Sequence, residues 1–184
     1  MFINLLINCQ TMEVLKEFTI PFVGLKDGKH EFKFAIDNTF FKHFEFNDFN
    51  QASLAARLVL NKKPRFLELH FDVLGKVELP CDVTMEWYDH EVKTSDDIIV
   101  KFGFSHENTS DEILVIPEGS YQVNVAQNFY ELIVLSLPQK RVHPGIEDGT
   151  LESEILNKLK ALEPKEEKLN GQKDPRWNKL KDLL

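Results

Sequence analysis

The side chains best suited to metal binding are the six histidines and two cysteines of this 184-residue chain. A zinc site needs three or four ligands at close spacing. Only Cys81 and His90 lie within ten residues of each other, and no two histidines stand four residues apart. The spacing therefore predicts no metal site and no cofactor. The histidines are His30, His43, His70, His90, His106 and His143.

Cys81 is the one candidate nucleophile, with His90 or His70 as its base. A reactive thiol needs a positive neighbour that lowers its pKa, whereas Cys81 stands between Pro80 and the acidic Asp82. The sequence also lacks a glycine-rich phosphate loop and a Gly-x-Ser-x-Gly elbow. We therefore expect a protein that is not an enzyme, with an enzyme using Cys81 as the alternative.

Three features could instead contact a partner. Glu131 is the only charge in the apolar segment 124–137, so it either pairs with a Lys or Arg or meets a partner. The basic cluster Lys140, Arg141 and His143 could touch an RNA phosphate or an acidic protein segment, or offset a helix dipole. We expect Trp177 to anchor a terminal helix on its own domain rather than to stack on a base, although the same helix face could dock on another protein.

Alternating apolar residues predict the strands that position these groups. Residues 30–37 alternate, and residues 51–79 form two such runs joined at a Pro-containing turn, which indicates a long β-hairpin. Gly75 interrupts the second run and predicts a bulge or bend. We also expect strands over 13–22, 82–93, 97–104 and 114–116, and a hairpin turn at Asp27-Gly28.

Helical spacing appears mainly in the second half of the chain. We expect a short helix capped by Asn38 within 38–49, and a buried helix over 124–137 with an Asn124 capping box. Thr150 should cap a further helix over 151–162. A mobile linker over 163–173 then precedes a terminal helix. This order of strands and then helices predicts an α+β fold: a mostly antiparallel sheet that could curl towards a barrel, a packed helix and a C-terminal helical tail.

The distribution of charge and the apolar N-terminal residues indicate which partners and which cellular location to expect. The net charge is −8, and all of it falls in residues 1–140, where 13 Lys and Arg face 21 Asp and Glu. An acidic body repels phosphates, so we expect no DNA binding. Any RNA contact should use a local basic patch or come through another protein. Residues 1–8 are apolar but too short to span a bilayer. Residues 1–11 are then either an extension before a natural start at Met12 or part of an ordinary first strand. Two cysteines cannot form a disulfide framework, which fits a reducing compartment, so we expect a cytoplasmic protein without a membrane partner. We expect a core domain at 12–145 and a tail at 146–184.

One ordered combination of segments is similar to a known family. The hairpin ends in Val77-Glu-Leu-Pro-Cys81-Asp82, and Glu131-Leu-Ile-Val-Leu-Ser-Leu-Pro138 follows some fifty residues later. A basic loop and a terminal Asp174-Pro-Arg-Trp177 complete the set. From about residue 14 to the end, the chain resembles the YceD family, named for accumulation of the large ribosomal subunit RNA.

The resemblance has two departures. Family members typically carry Cys-x-Arg-Cys after the hairpin, where this chain has Cys81-Asp-Val-Thr84, and many carry a Cys-rich segment where it has Arg141-Val-His-Pro-Gly145. A zinc or redox role therefore does not carry over. The resemblance implies a bacterial cytosolic, non-catalytic factor in ribosome biogenesis, with ribosomal RNA or a ribosome-associated protein as partner. It adds contact positions at Glu131, Leu137, Pro138, Arg176 and Trp177.

A barrel-like binder of a small apolar ligand is the alternative function. The chain contains 15 phenylalanines, and a Phe-lined cavity would suit such a ligand. This alternative requires empty space beside Phe32, Phe34 or Phe71.

Overall fold

The computed structural model describes residues 16–103, 113–151 and 153–162. Seven strands and four helices lie in these ranges. The strands are β1 (Thr19–Pro21), β2 (Gly28–Asp37), β3 (Ala52–Lys62), β4 (Phe66–Pro80), β5 (Trp87–Gly103), β6 (Ile113–Pro117) and β7 (Gln122–Asn124). The helices are α1 (Asn38–His43), α2 (Ala126–Leu135), α3 (Pro144–Glu147) and α4 (Glu154–Leu162). The predicted α+β class is confirmed.

Five strands form the main sheet in the order β2-β3-β4-β5-β6. The first four pair antiparallel and β6 joins β5 in parallel. Alternation buries one face, because successive side chains of a strand point to opposite sides. The predicted β3–β4 hairpin is confirmed: Leu58 pairs with Phe71 and both are buried. Among the described residues β2 and β6 do not pair with each other, so the sheet is open rather than a closed barrel.

The strand after this hairpin differs from the prediction. Residues 82–84 form a turn, and one strand, β5, then runs from Trp87 to Gly103 instead of two shorter ones. The turn is closed by hydrogen bonds from Cys81 N to Glu86 O and from Met85 N to Cys81 O, both 2.9 Å. Met85 has φ 60° there, a left-handed conformation that strand alternation could not indicate. The predicted edge strand over 114–116 is confirmed as β6.

The first strand pairs with a distant partner. Residues 16 and 17 are helical, so the predicted strand over 13–22 is confined among the described residues to Thr19–Pro21. It pairs with β7 rather than forming a hairpin with β2 across Asp27-Gly28. The Lys62 ammonium group holds the following loop by donating to the carbonyls of Phe22 and Leu25 at 3.0 and 2.8 Å.

Aromatic rings fill the space between the sheet and helix α2. The Phe129 ring lies 5.0 Å from that of Phe71 and 5.5 Å from that of Phe34, and the rings of Phe18 and Phe34 stack at 4.8 Å. Such contacts add to the burial of apolar area. On the core side of the sheet, Phe34 and Phe71 are therefore in contact with other rings, which argues against an apolar ligand at that place.

The helix caps also differ from the predictions. Asp37, not Asn38, caps α1 by accepting hydrogen bonds from the backbone N–H groups of Thr39 and Phe40. Those bonds, with one from the Thr39 hydroxyl as the largest contribution, lower the pKa of Asp37. Asn38 instead bridges to the backbone of Asn50 and Ala52.

Helix α2 is shorter and less buried than expected. It begins at Ala126, and the Asn124 side chain accepts a hydrogen bond from the N–H of Ala126. Gln127 does not complete a capping box, because its amide donates to Glu131 instead. Phe129 and Ile133 are buried, but Leu135 is 84% exposed.

The chain divides into two compact units, Met1–His143 and Pro144–Leu184. In the second unit, α4 begins at Glu154 rather than at 151. The backbone carbonyl of Ser153 accepts the first helical hydrogen bond, from Asn157 N, so Thr150 is not the cap. The expectations for 1–11, the 163–173 linker and the terminal helix with Arg176 and Trp177 lie outside the described residues. The predicted domain boundaries stay predictions.

Gly75 allows β3 and β4 to approach closely. The register runs without an extra residue from Ala52↔Val77 to Lys62↔Leu67, so the bulge predicted at Gly75 is wrong, and the alternative, a bend, stays a prediction. Gly75 has φ +157°, and a Cβ there would lie 2.8 Å from the Leu54 Cα and nearer still to the Ser53 carbonyl oxygen. Both obstacles are backbone atoms, which a rotamer change cannot move.

We expect Gly75→Ala to lower the free energy of unfolding by about 2–3 kcal/mol, because the strands must separate to admit the methyl group. Gly24→Ala is the matched control, since a Cβ at Gly24 meets nothing within 4 Å. It should change stability by less than about 0.5 kcal/mol. Urea unfolding measures both variants, and equal effects would contradict the close approach.

Candidate functional site

The Cys81 thiol is enclosed by the β4–β5 turn. Cys81 is 0% exposed, and its Sγ accepts hydrogen bonds from the N–H groups of Val83 at 3.4 Å and His143 at 3.3 Å. Burial raises the pKa of this thiol, but hydrogen bonds from Thr84, His143 and Val83 outweigh burial and lower it. The pKa shift alone would suit a nucleophile, whereas the enclosure leaves a substrate no path to the sulfur.

His70 on β4, one of the two histidines considered as a base for Cys81, is paired with another residue. The His70 ring lies on the solvent face of the sheet, 2.6 Å from the Asp97 carboxylate. Cys81 itself is held by backbone N–H groups of the turn and of residue 143. His70 and Cys81 are therefore not arranged as a base and its nucleophile.

The basic loop is fastened to the same turn. The N–H of Arg141 donates to the Asp82 carboxylate and the N–H of Asp82 donates to the Arg141 carbonyl, each at 2.8 Å. The Arg141 guanidinium binds Asp48 at 3.0 Å and its side chain is 22% exposed. The His143 ring lies 5.6 Å from that of Tyr88. Of the three predicted contact residues in this loop, Lys140 is exposed, whereas Arg141 and His143 are half-buried.

The position of the basic loop argues against the alternative that its charges offset a helix dipole. Helix α2 ends at Leu135 and has no basic residue in its last turn, so the cluster does not offset the helix dipole. The Arg141 charge is already neutralised by Asp48 within the fold. The loop therefore offers an RNA phosphate little unpaired positive charge.

Glu131 lies in a groove beside helix α2. The groove has a volume of about 690 Å³, and we call it the α2 groove. Helix α2 lines it with residues three, four and seven positions apart, which share one helical face. These are Asn128, Glu131, Leu132 and Leu135, and the sheet side contributes Ser95, Asp96, Ile98, Ile113 and Leu114.

Glu131 was expected to pair with a Lys or Arg within the chain, but in the structure its partner is Gln127. Its carboxylate accepts a hydrogen bond from the Gln127 amide at 2.8 Å, and no Lys or Arg pairs with it among the described residues. Glu131 is exposed and points away from the core formed by Phe129 and Ile133. Its charge is therefore available at the rim of the groove.

The solvent face of the sheet carries a second groove of about 630 Å³. It is lined in part by Lys33, Arg57, Leu74 and Lys93. Most charges on this face are paired, as with Arg57 and Asp72 at 2.6 Å, and the Asp72 carboxylate raises the Arg57 pKa. Exposed pairs of this kind are common on solvated sheet faces and contribute little to stability.

No group of three or more His, Cys, Asp or Glu side chains among the described residues is arranged to hold a metal ion. No helix within that same part of the chain has the length and apolar character needed to cross a membrane.

Comparison with known proteins gives one match. The family described as large ribosomal RNA subunit accumulation protein YceD matches residues 69–184, which is more than half of the chain. The chain belongs to the YceD family. Searches of curated proteins and of solved structures each return no match. The resemblance seen in the sequence is thus confirmed.

In this YceD-family chain, the turn after β4 and the basic loop are in contact. The turn at Cys81-Asp82 and the loop at Arg141 are joined by the hydrogen bonds described above. Nothing in the sequence indicated this contact, because the segments are some sixty residues apart. The α2 groove was missed as well: Glu131 was singled out, but not the apolar residues of the sheet that face it.

We expect Asp82→Ala to release the basic loop and to lower the free energy of unfolding of this YceD-family chain by roughly 1 kcal/mol, since one hydrogen bond to Arg141 N is lost. Asp82→Asn is the control, because it keeps an acceptor oxygen. Urea unfolding and proteolysis near residue 141 report the two effects. Equal behaviour of both variants would contradict the fastening role.

Native Cys81 should resist iodoacetamide despite its lowered pKa, because the reagent cannot reach a fully buried sulfur. In denaturant it should react like an ordinary thiol. Peptide mapping by mass spectrometry distinguishes Cys81 from Cys9. Rapid alkylation of Cys81 in the folded protein would show that the enclosure opens and would revive the nucleophile alternative.

Proposed function

We propose that this protein is a non-catalytic cytoplasmic factor that supports accumulation of large-subunit ribosomal RNA in bacteria by binding a component of the assembling subunit. The observation that carries the proposal is the YceD family match over residues 69–184. The family description names the RNA outcome, and the way in which this chain contributes to it is our proposal.

A binding role rather than a catalytic one is supported by the chemistry of the candidate residues. Cys81, the single candidate nucleophile, is enclosed by backbone N–H groups, and His70 is paired with Asp97. A nucleophile and its base must lie within hydrogen-bond reach, with room for a substrate beside them. The described residues offer exposed grooves instead.

A protein contact is favoured over an RNA contact by the charge distribution. Counterion release from phosphates drives nucleic-acid binding and requires several unpaired Lys or Arg side chains. Here the net charge is −8 and the Arg141 guanidinium is bound to Asp48. Ribosomal RNA would then be affected through a bound protein.

Deletion of the gene should lower the ratio of large-subunit to small-subunit ribosomal RNA, and the wild-type chain should restore it. Cys81→Ser should also restore it, because a serine oxygen can accept the same hydrogen bonds. Thermal melting and immunoblotting establish that the variant is folded and abundant. An unchanged ratio after deletion would refute the RNA role, and failure of a folded Cys81→Ser protein would favour an enzyme.

The tagged protein should sediment with large-subunit precursor particles at low salt. Recovery of all the protein at the top of the gradient, under conditions where the particles stay intact, would contradict direct particle binding.

A further inference from the structure

We propose that the α2 groove binds a basic amphipathic segment of a partner protein, with Glu131 and Asp96 contacting its Lys or Arg side chains. This inference rests on the proposed binding function and adds the surface and the chemistry of the partner.

The apolar part of the groove is the first observation. Leu135 is 84% exposed, the most exposed of the large hydrophobic side chains in the described part of the chain. Leu132, Ile113 and Leu114 are partly exposed beside it. Contiguous exposed apolar side chains rimmed by polar groups are typical of protein interaction sites. A volume of about 690 Å³ accommodates several side chains of a peptide.

Helix α2 holds the residues that line the groove in fixed positions. Phe129 and Ile133 fix α2 on the core, and Glu131 and Leu135 stand two positions after each of them, on the opposite side. The groove-lining residues are therefore held on a rigid element. A partner can bind without ordering the helix, which reduces the entropic cost of association.

The charge of the groove selects the partner. Of its described lining residues, Asp96 and Glu131 are acidic and none is basic. Glu131 has only the Gln127 amide as its described side-chain partner. The whole chain carries −8, which attracts a basic partner over distance and repels RNA. A segment that combines apolar side chains with Lys or Arg satisfies both parts of the groove.

Site-specific photo-crosslinking in cells tests the proposal. Leu135→p-benzoylphenylalanine places the crosslinker in the groove, and Leu74→p-benzoylphenylalanine is the matched control on the solvent face, where Leu74 is 53% exposed. The Leu135 position should yield a protein adduct whose crosslinked peptide has more Lys and Arg than Asp and Glu, and Leu74 should not yield it. Adducts to RNA, to a second copy of the chain or to acidic peptides would overturn the proposal.

A charge reversal adds a second readout. Glu131→Lys should lower the yield of that adduct by about tenfold, because a like charge at the rim repels the basic segment. Glu91→Lys, the same change on the solvent face, should leave the yield within about twofold. Melting curves show whether both variants are folded. Equal yields from folded Glu131→Lys and Glu91→Lys would refute the electrostatic part.

A wrong groove assignment and a wrong family function would give different experimental results. If deletion lowers the large-subunit RNA ratio but Leu135 gives no basic adduct, the groove assignment is wrong and the family function stands. If the adduct forms but deletion leaves the ratio unchanged, the groove binds a partner outside RNA accumulation.

Discussion

The ring of Phe129 joins helix α2 to the sheet, and the exposed features of the first unit depend on that contact. It packs against Phe71 on β4, Phe34 on β2 and Phe18 before β1. Three otherwise separate parts of the chain thus share one apolar cluster. Because the cluster fixes which side of α2 faces inward, it also determines that Glu131 and Leu135 face outward.

The β4 strand is the central strand of the main sheet and positions the turn that encloses Cys81. It pairs with β3 on one side and with β5 along all of Phe66–Pro80 on the other. Gly75 allows this double pairing to continue past the close approach at Leu54. At the end of β4, Asp82 holds the loop that carries Arg141 and His143. Arg141 and His143, which the sequence indicated as basic contact residues, therefore make contacts within the fold.

Much of the sheet could be predicted because alternation is a local signal. The β2, β3 and β4 runs were recognised from every second residue. The structure buries the apolar residues of the β3 and β4 runs, whereas in β2 it buries Ile36 and leaves Phe32 and Phe34 half-buried. The undivided β5 strand was not recognised, because its middle is polar: Thr94, Ser95, Asp96 and Asp97 are held in the strand by pairing with β4. The parallel β6 and the β1–β7 pair depend on long-range contacts that spacing along the chain does not contain.

At the candidate site, too, the sequence predicted the local feature but not the long-range contacts. Glu131 was noticed as a lone charge in an apolar helix, but an apolar sequence on all sides could not show which side faces the core. Hydroxyl-radical footprinting of the protein bound to large-subunit precursor particles tests the central claim most directly. Leu135, 84% exposed in the free chain, should lose reactivity on binding, whereas Met85, 71% exposed in the β4–β5 turn, should keep it. Protection of Met85 with Leu135 unchanged would contradict the account.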